Sequence, residues 1–241
     1  MIYITGDLHG FQKKWSDEIA PVLKAGDTVI IAGDVGVGLM ENEEPFWDEI
    51  ARQPWTVLFI DGNHENFGLL RTLPVEEWHG GRIQRLRDNV IHLMRGEIYE
   101  LEGKSLFTFG GGYSLDRDRR IEGKSWWPEE MPSAEEYARA EENLRRHGNQ
   151  VDYIITHSAP ADTIHYLQTY KVFRVLKNVR QELPLNLFLD GVVANNRYGQ
   201  YYFGHFHMDL ELWRDQTAIF SCLRELESGR VVHSWHHYEW F

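Results

Sequence analysis

The sequence predicts an α/β fold. Short β-branched and aliphatic runs alternate with helical patterns along the 241 residues, no segment repeats, and a short polar motif follows five of the runs. Met1–Thr5 reads as a strand. Phe11–Lys24 carries an amphipathic helical pattern that ends before Gly26, and Thr28–Ala32 reads as a buried strand. Pro45–Arg52 reads as a short helix, with proline near the start, where its missing N–H is tolerated. Thr56–Ile60 reads as a strand and Asn66–Thr72 as a helix. Ile98–Leu101 and Ser105–Phe109 flank Glu102-Gly103-Lys104 and form a β-hairpin pattern. Gly110–Trp127 follows as a long loop containing glycines and arginines. Ser133 and Glu136 make a capping box that opens a helix to about His147, with Gly148 as its stop. Val151–Ile155 reads as a strand, Thr163–Glu182 as mostly helical, and Tyr201–Phe203 as a strand. Leu210–Trp213, Ala218–Cys222 and Arg230–Tyr238 read as a terminal β-meander with turns at Arg214–Gln216 and Glu227–Gly229. No Pro/Ser/Gly-rich linker divides the chain, so one domain over residues 1–241 is expected.

Charge and cysteine content narrow the function. Lys plus Arg is 25 and Asp plus Glu 37, a formal net charge of −12. That average field repels polyanions and argues against nucleic acid as a stable partner, but clustered carboxylates are compatible with divalent cations. Cys222 is the one cysteine, which excludes an intramolecular disulfide and a cysteine-rich zinc site. The N-terminal MIYITGDLHG lacks the basic and apolar regions of a signal peptide, and runs such as Val29–Ala32 are too short to span a bilayer. A cytoplasmic protein without a membrane partner is the expectation.

The motifs carry the chemistry. Gly6-Asp7-Leu8-His9-Gly10 follows the first strand, Gly33-Asp34 the second and Gly62-Asn63-His64-Glu65 the third. His157 follows Val151–Ile155, and Gly204-His205-Phe206-His207 follows Tyr201–Phe203. Ligands of open α/β sheets bind beyond the carboxyl ends of the strands, so five such loops can converge on one pocket. Asp7 and His9 are two apart, as are His205 and His207, a spacing that in extended chain puts both side chains on one side. The candidate metal ligands are Asp7, His9, Asp34, Asn63, His157, His205 and His207. Seven oxygen and nitrogen ligands exceed one tetrahedral zinc and suit two ions if one carboxylate bridges. Glycines beside the ligands let the backbone come close.

D-x-H at Asp7–His9, G-D at Gly33-Asp34, G-N-H-E at Gly62–Glu65, the lone His157 and G-H-x-H at Gly204–His207 occur in this order. In this set the chain resembles the calcineurin-like metallophosphoesterase family. The resemblance implies a four-layer α/β/β/α sandwich of two mixed β-sheets with a dinuclear metal centre between them. It implies that Asp34 bridges the ions, that Asp7, His9 and His207 complete one site, and that Asn63, His157 and His205 complete the other. His64 would be the catalytic residue assisting the leaving group, and the terminal meander would belong to the second sheet. Many members carry G-D-x-x-D, and the protein Ser/Thr phosphatase branch adds R-G. Here Val37 stands at the second acidic position, and Asp61 precedes Gly62 where that branch has arginine. The acid that orients the catalytic histidine and two phosphate-clamping arginines are therefore missing.

Other polar and aromatic residues have simpler readings. Arg117, Arg119, Arg120 and Lys124 lie in the long loop, where a substrate role competes with a solvated charged loop. Arg117 and Arg119 are the favoured substrate-binding residues, by analogy with guanidinium recognition of phosphate. Trp126 and Trp127 read as packing anchors, His233, His236 and His237 as surface residues, and Cys222 as a small core residue.

The expected function is a metal-dependent phosphoric ester hydrolase acting on a phosphate ester through a dinuclear centre and a bridging hydroxide. Oxygen and imidazole ligands without thiolate fit two divalent ions, with Mn favoured and Fe or Zn also suitable. The competing reading is a non-catalytic interaction scaffold with this fold, against which all seven ligands are present. A nuclease is disfavoured by the net charge.

Overall fold

The computed structural model describes residues 1–40, 43–170 and 179–236. The chain runs β1 Ile2–Thr5, α1 Gln12–Lys14, β2 Thr28–Ile31, α2 Glu43–Ala51, β3 Thr56–Phe59, α3 Phe67–Leu70, β4 Val75–Trp78, β5 Gly81–Arg87 and β6 Val90–Leu93. It continues through β7 Glu97–Leu101, β8 Lys104–Phe109, α4 Ala134–Arg146, β9 Gln150–Thr156, α5 Ala161–Thr169 and α6 Val179–Asn195. The last strands are β10 Arg197–Phe203, β11 Leu210–Glu211, β12 Gln216–Ala218, β13 Cys222–Glu225 and β14 Val231–Ser234. No helix of the described residues is long and apolar enough to cross a membrane.

Two mixed sheets result, as the α/β reading expects. One has the order β14-β13-β1-β2-β3-β6-β5-β4 and the other β11-β12-β10-β9-β8-β7. Strands β1, β2, β3 and β6 are mutually parallel, as are β8, β9, β10 and β12. Period-two alternation sorts their side chains into three cores. Ile4, Ile30 and Leu58 meet Leu106, Ile155 and Tyr202 between the sheets. Val29, Ile31, Val57 and Phe59 face outward onto Trp15, Ile19, Phe46, Trp47 and Phe67. On the far side Phe107, Phe109, Ile154, Tyr201 and Phe203 pack on Ala140, Leu144, Ile164, Leu185 and Leu189 of α4, α5 and α6. The layers are thus α/β/β/α. Strands covered on both faces read as continuous apolar runs.

Several local expectations hold. Ser133 accepts from Glu136 N–H while the Glu136 side chain accepts from Ser133 N–H, and the helix ends at His147 before Gly148 at φ 76°. Glu102 and Gly103 both have positive φ, 50° and 78°, which closes the β7–β8 hairpin tightly.

Others need correction. Phe11–Lys24 is not one α-helix: α1 passes into a π-helical turn, Trp15–Ile19, and a 3-10 turn, Ala20–Val22. Pro21 has no N–H to continue the ladder, and Ala20 N–H reaches back to Trp15 O. Three strands, β4 to β6, fill a segment to which the pattern assigns no element; β4 is an edge strand with largely exposed side chains. Thr163–Glu182 divides into α5 and a longer α6 that carries Pro184, and residues 171–178 of that range lie outside the described ones. The terminal meander does not belong to the second sheet alone. β11 and β12 pair there, while β13 joins β1 and β14 in the first sheet. The crossing is stabilised by Asp209, whose carboxylate accepts the N–H groups of Phe220 (2.9 Å) and Ser221 (3.0 Å).

A buried ion pair ties the end of β3 to the second sheet's loop. Arg95 Nε and Nη2 donate to Asp61 Oδ2 at 2.8 and 2.5 Å, and His92 Nε2 lies 3.0 Å from Asp61 Oδ1. Arg95 Nη2 also donates to the carbonyls of Glu129 and Glu130. Burial alone would raise the Asp61 carboxyl, but Arg95 and His92 bring it down to about 2. Its stabilisation is complete above the ordinary value of 3.8 and is lost as pH falls through about 2. Asp61→Ala should lower the unfolding free energy by about 3–5 kcal/mol at neutral pH, because a buried guanidinium loses its partner. Urea unfolding across the acid range should show this deficit shrinking as wild-type Asp61 is protonated. A deficit independent of pH would show that the charge is not its source.

Candidate metal centre

The carboxyl ends of β1, β2 and β3 release Asp7, Asp34 and Asn63, and those of β9 and β10 release His157 and the pair His205 and His207. The loops interlock through the backbone: Leu8 and His9 N–H groups both donate to Asp34 O, at 3.0 and 2.6 Å. Asp7 Oδ1 crosses between sheets to accept His205 N–H at 3.0 Å. Its Oδ2 lies 3.2 Å from His207 Nε2 and 3.5 Å from His9 Nε2, and those two nitrogens are 2.9 Å apart. Asp7 Oδ2 is buried and has no hydrogen-bond donor. An acceptor oxygen and two imidazole nitrogens converging in this way fit a cation.

Asp34 lies between two groups of candidate ligands. Its Oδ1 accepts His64 N–H at 2.7 Å and is 3.3 Å from His157 Nε2, while Oδ2 is 3.7 Å from His9 Nε2. Asn63 Oδ1 is 3.2 Å from His157 Nε2, and its amide nitrogen donates to Ser114 Oγ at 3.1 Å. His157 Nδ1 donates to Ala32 O at 2.8 Å, which turns Nε2 toward Asp34 and Asn63. His205 Nε2 is 3.4 Å from the buried Glu182 Oε2 of α6. Candidate ligand atoms of Asp7, His9 and His207 lie within 4.8 Å of one another, as do those of Asp34, His157 and His205, and those of His9, Asp34 and His64.

The backbone is shaped around these groups. His9, Asp34, His205 and His207 all have φ between 49° and 67°, the left-handed region that non-glycine residues rarely adopt. Gly62 and Gly204 serve close approach rather than unusual φ. A Cβ on Gly62 would lie 2.1 Å from Asp34 Oδ1, and one on Gly204 2.3 Å from Asp7 Oδ1.

Charge balance follows from burial. Burial would raise the Asp34 carboxyl, yet His157, His64 and His9 hold it well below the usual aspartate range. Asp7 is likewise lowered against burial by the His207 and His9 rings beside it. Burial would lower His157, but the Asp34 carboxylate raises it to about 10. Divalent cations would meet the same buried negative charge and release the histidine protons.

The loop from Gly110 to Trp127 packs directly on this centre. A Cβ on Gly112 would stand 2.9 Å from Asn63 Oδ1 and 3.4 Å from His205 Cε1. A cleft of about 480 Å³ opens beside it, lined by His9, His64, His207, Gly10, Gln12, Gly36, Leu39, Met40, Asp116 and Arg120. The favoured loop arginines are not among these lining residues. Arg117 lies 3.9 Å over the Tyr113 ring and 4.4 Å over Trp126, with Nη2 3.0 Å from Glu130 Oε2. Arg119 is exposed. Arg120 is the one that faces the cleft, its Nη2 2.6 Å from His64 Nδ1. A 3-10 turn over Arg117–Arg119 points successive side chains about 120° apart, so adjacency in sequence does not give a shared direction. Trp127 is buried in the outer core beside α3, as an anchor should be. His233 bonds Glu18 at 2.8 Å, His236 is exposed, and His237 lies outside the described residues. Cys222 is buried, and burial with Asp209 beside it pushes the thiol up to about 12.

The sequence pattern does not single out Ser114 or Glu182 as site residues. Each is an isolated polar residue at no fixed spacing from a ligand, and only the fold brings it to the centre.

Gly62→Ala should displace the Asp34 carboxylate and weaken Mn²⁺ binding about 10–100-fold in equilibrium dialysis, with an unchanged circular dichroism spectrum. Gly191→Ala, whose Cβ would meet nothing within 4 Å, is the control. Equal Mn²⁺ binding by both variants would remove the packing explanation.

A family model for calcineurin-like phosphoesterases matches residues 1–209 of the chain. No curated protein matches it significantly. The family match spans every motif from Asp7 to His207 and most of the 241 residues, and the chain belongs to the calcineurin-like phosphoesterase family.

Proposed function

We propose that the protein is a phosphoric ester hydrolase that works with two divalent cations. The observation carrying this reading is the placement of Asp34, with Oδ1 toward His157 and Oδ2 toward His9. Asp34 then serves both sites, Asp7, His9 and His207 complete one, and Asn63, His157 and His205 complete the other. The donor set is all oxygen and imidazole, which suits Mn²⁺, with Fe or Zn²⁺ as alternatives. Two such ions, when bound, polarise the phosphoryl oxygens and activate water for in-line displacement.

The chain's own residues do the rest. Asp7 and Asp34 supply the negative charge, with Asp7 held by His205 N–H and Asp34 by His64 N–H. Ser114 takes a bond from the Asn63 amide nitrogen and so turns its oxygen inward. His64 stands at the rim, its Nε2 4.0 Å from Asp34 Oδ2, where it can hydrogen-bond or protonate the departing oxygen. The cleft beside it, bounded by Leu39, Met40 and the loop, receives the ester.

The protein loaded with Mn²⁺ and desalted should retain two ions per chain and hydrolyse p-nitrophenyl mono- or diesters. Asp34→Asn should retain fewer ions and little activity. His64→Ala should keep its metal and lose about 10²–10⁴-fold in kcat with poor leaving groups, but less with p-nitrophenolate. Absence of metal-dependent hydrolysis across monoesters, diesters and nucleotides would favour the scaffold reading instead.

A further inference from the structure

We propose that Arg120, held by Asp116, is the positioning residue of His64 and fixes which of its ring nitrogens carries the proton. The inference rests on the reading of His64 as the leaving-group residue. Position 37, acidic in many relatives of this motif, is Val37, fully buried in the outer apolar core with its N–H on Glu65. No carboxylate can reach His64 from there. Instead, Arg120 Nη2 lies 2.6 Å from His64 Nδ1.

A guanidinium has only donors and does not deprotonate in proteins, so His64 Nδ1 must accept. In a neutral imidazole the proton then sits on Nε2, the nitrogen turned toward Asp34 and the centre. A carboxylate orienter works the opposite way: it accepts a hydrogen bond from Nδ1–H and so leaves the Nε2 lone pair of the neutral ring toward the centre. With arginine, His64 offers a neutral N–H to the departing or phosphoryl oxygen.

The arginine is itself fixed on two other sides. Its Nε donates to Asp116 Oδ2 at 2.7 Å and its Nη1 to Ser125 O at 3.0 Å. Arg120 N–H also donates to Arg117 O, and Arg119 N–H to Asp116 O, which closes the turn between Asp116 and Arg120. The loop over the centre therefore carries the group that aligns His64, so ordering the loop and aligning the ring are one event.

A double-mutant cycle of Arg120→Ala and His64→Ala, with Mn²⁺ loading measured for each variant, tests the coupling. Arg120→Ala should lower kcat by about 10–10²-fold with a poor leaving group, a substantial part of the loss expected on removing His64, with KM and metal content little changed. In the His64→Ala background it should add less than about twofold. Arg120→Lys, which keeps a donor, should recover part of the loss. Nitrogen-15 NMR of the His64 ring should report the Nε2–H tautomer in the wild type and a mixture in Arg120→Ala. An equal loss in both backgrounds, or a rise in KM alone, would make Arg120 an independent phosphate clamp and overturn the proposal. An unchanged ring tautomer in Arg120→Ala would also overturn it. If His64→Ala itself is silent, the assigned role of His64 fails, and the NMR comparison still decides whether Arg120 sets the ring.

Discussion

Two buried carboxylates, Asp7 and Asp34, sit where the ends of the two sheets meet, and much of the neighbouring structure answers their charge. Charge taken out of water must be paired or coordinated. Histidines come from four loops, His205 N–H and His64 N–H each donate to a carboxylate oxygen, and glycines at 62 and 204 clear the space the oxygens occupy. Behind Asp7 the buried Lys14 ammonium donates to the Asp7 carbonyl and, at 3.0 Å, to that of Phe220. Burial pushes this ammonium down to about 8, although Asp7 and Asp209 oppose the shift. The same loop that provides two candidate ligands, Asp7 and His9, is thus fastened to the place where the chain changes sheet.

A second layer of carboxylates holds the loops that present the first. Glu65 accepts the N–H groups of Val35, Gly36 and Val37 and so fixes the turn after Asp34. Glu182 accepts Tyr113 N–H at 3.1 Å and faces His205, joining α6 to the start of the long loop. Burial alone would raise Glu182, but His205, Ser158 and Tyr113 lower it to about 2. Histidine ligands are commonly oriented by such partners, and here the partner also anchors the loop over the cleft.

The centre is built on the carboxyl ends of parallel strands, whereas the cleft beside it depends on irregular backbone. Around it stand Val37 in the apolar core, Asp61 paired with Arg95, and Arg120 set against His64. Irregular loops can shape the cleft because rigid strands already fix the ends that carry the candidate ligands.

What the sequence determined by itself was local or strongly patterned. Alternation of apolar runs sufficed for the α/β class, Ser133 with Glu136 for the start of α4, and Glu102-Gly103 for a tight turn. The ordered motifs identified the seven candidate ligands because their types and flanking glycines are set within a few residues. Long-range choices were not legible. Whether β13 pairs with β1 or stays with β12 is decided across the whole chain, where Tyr3 meets Glu225. Strand β4 exposes most of its side chains, so it leaves little apolar signal to read. Among Arg117, Arg119 and Arg120, composition offers no distinction. Only tertiary structure places one against Glu130, one in solvent and one on His64, because a 3-10 turn sends neighbouring side chains in different directions.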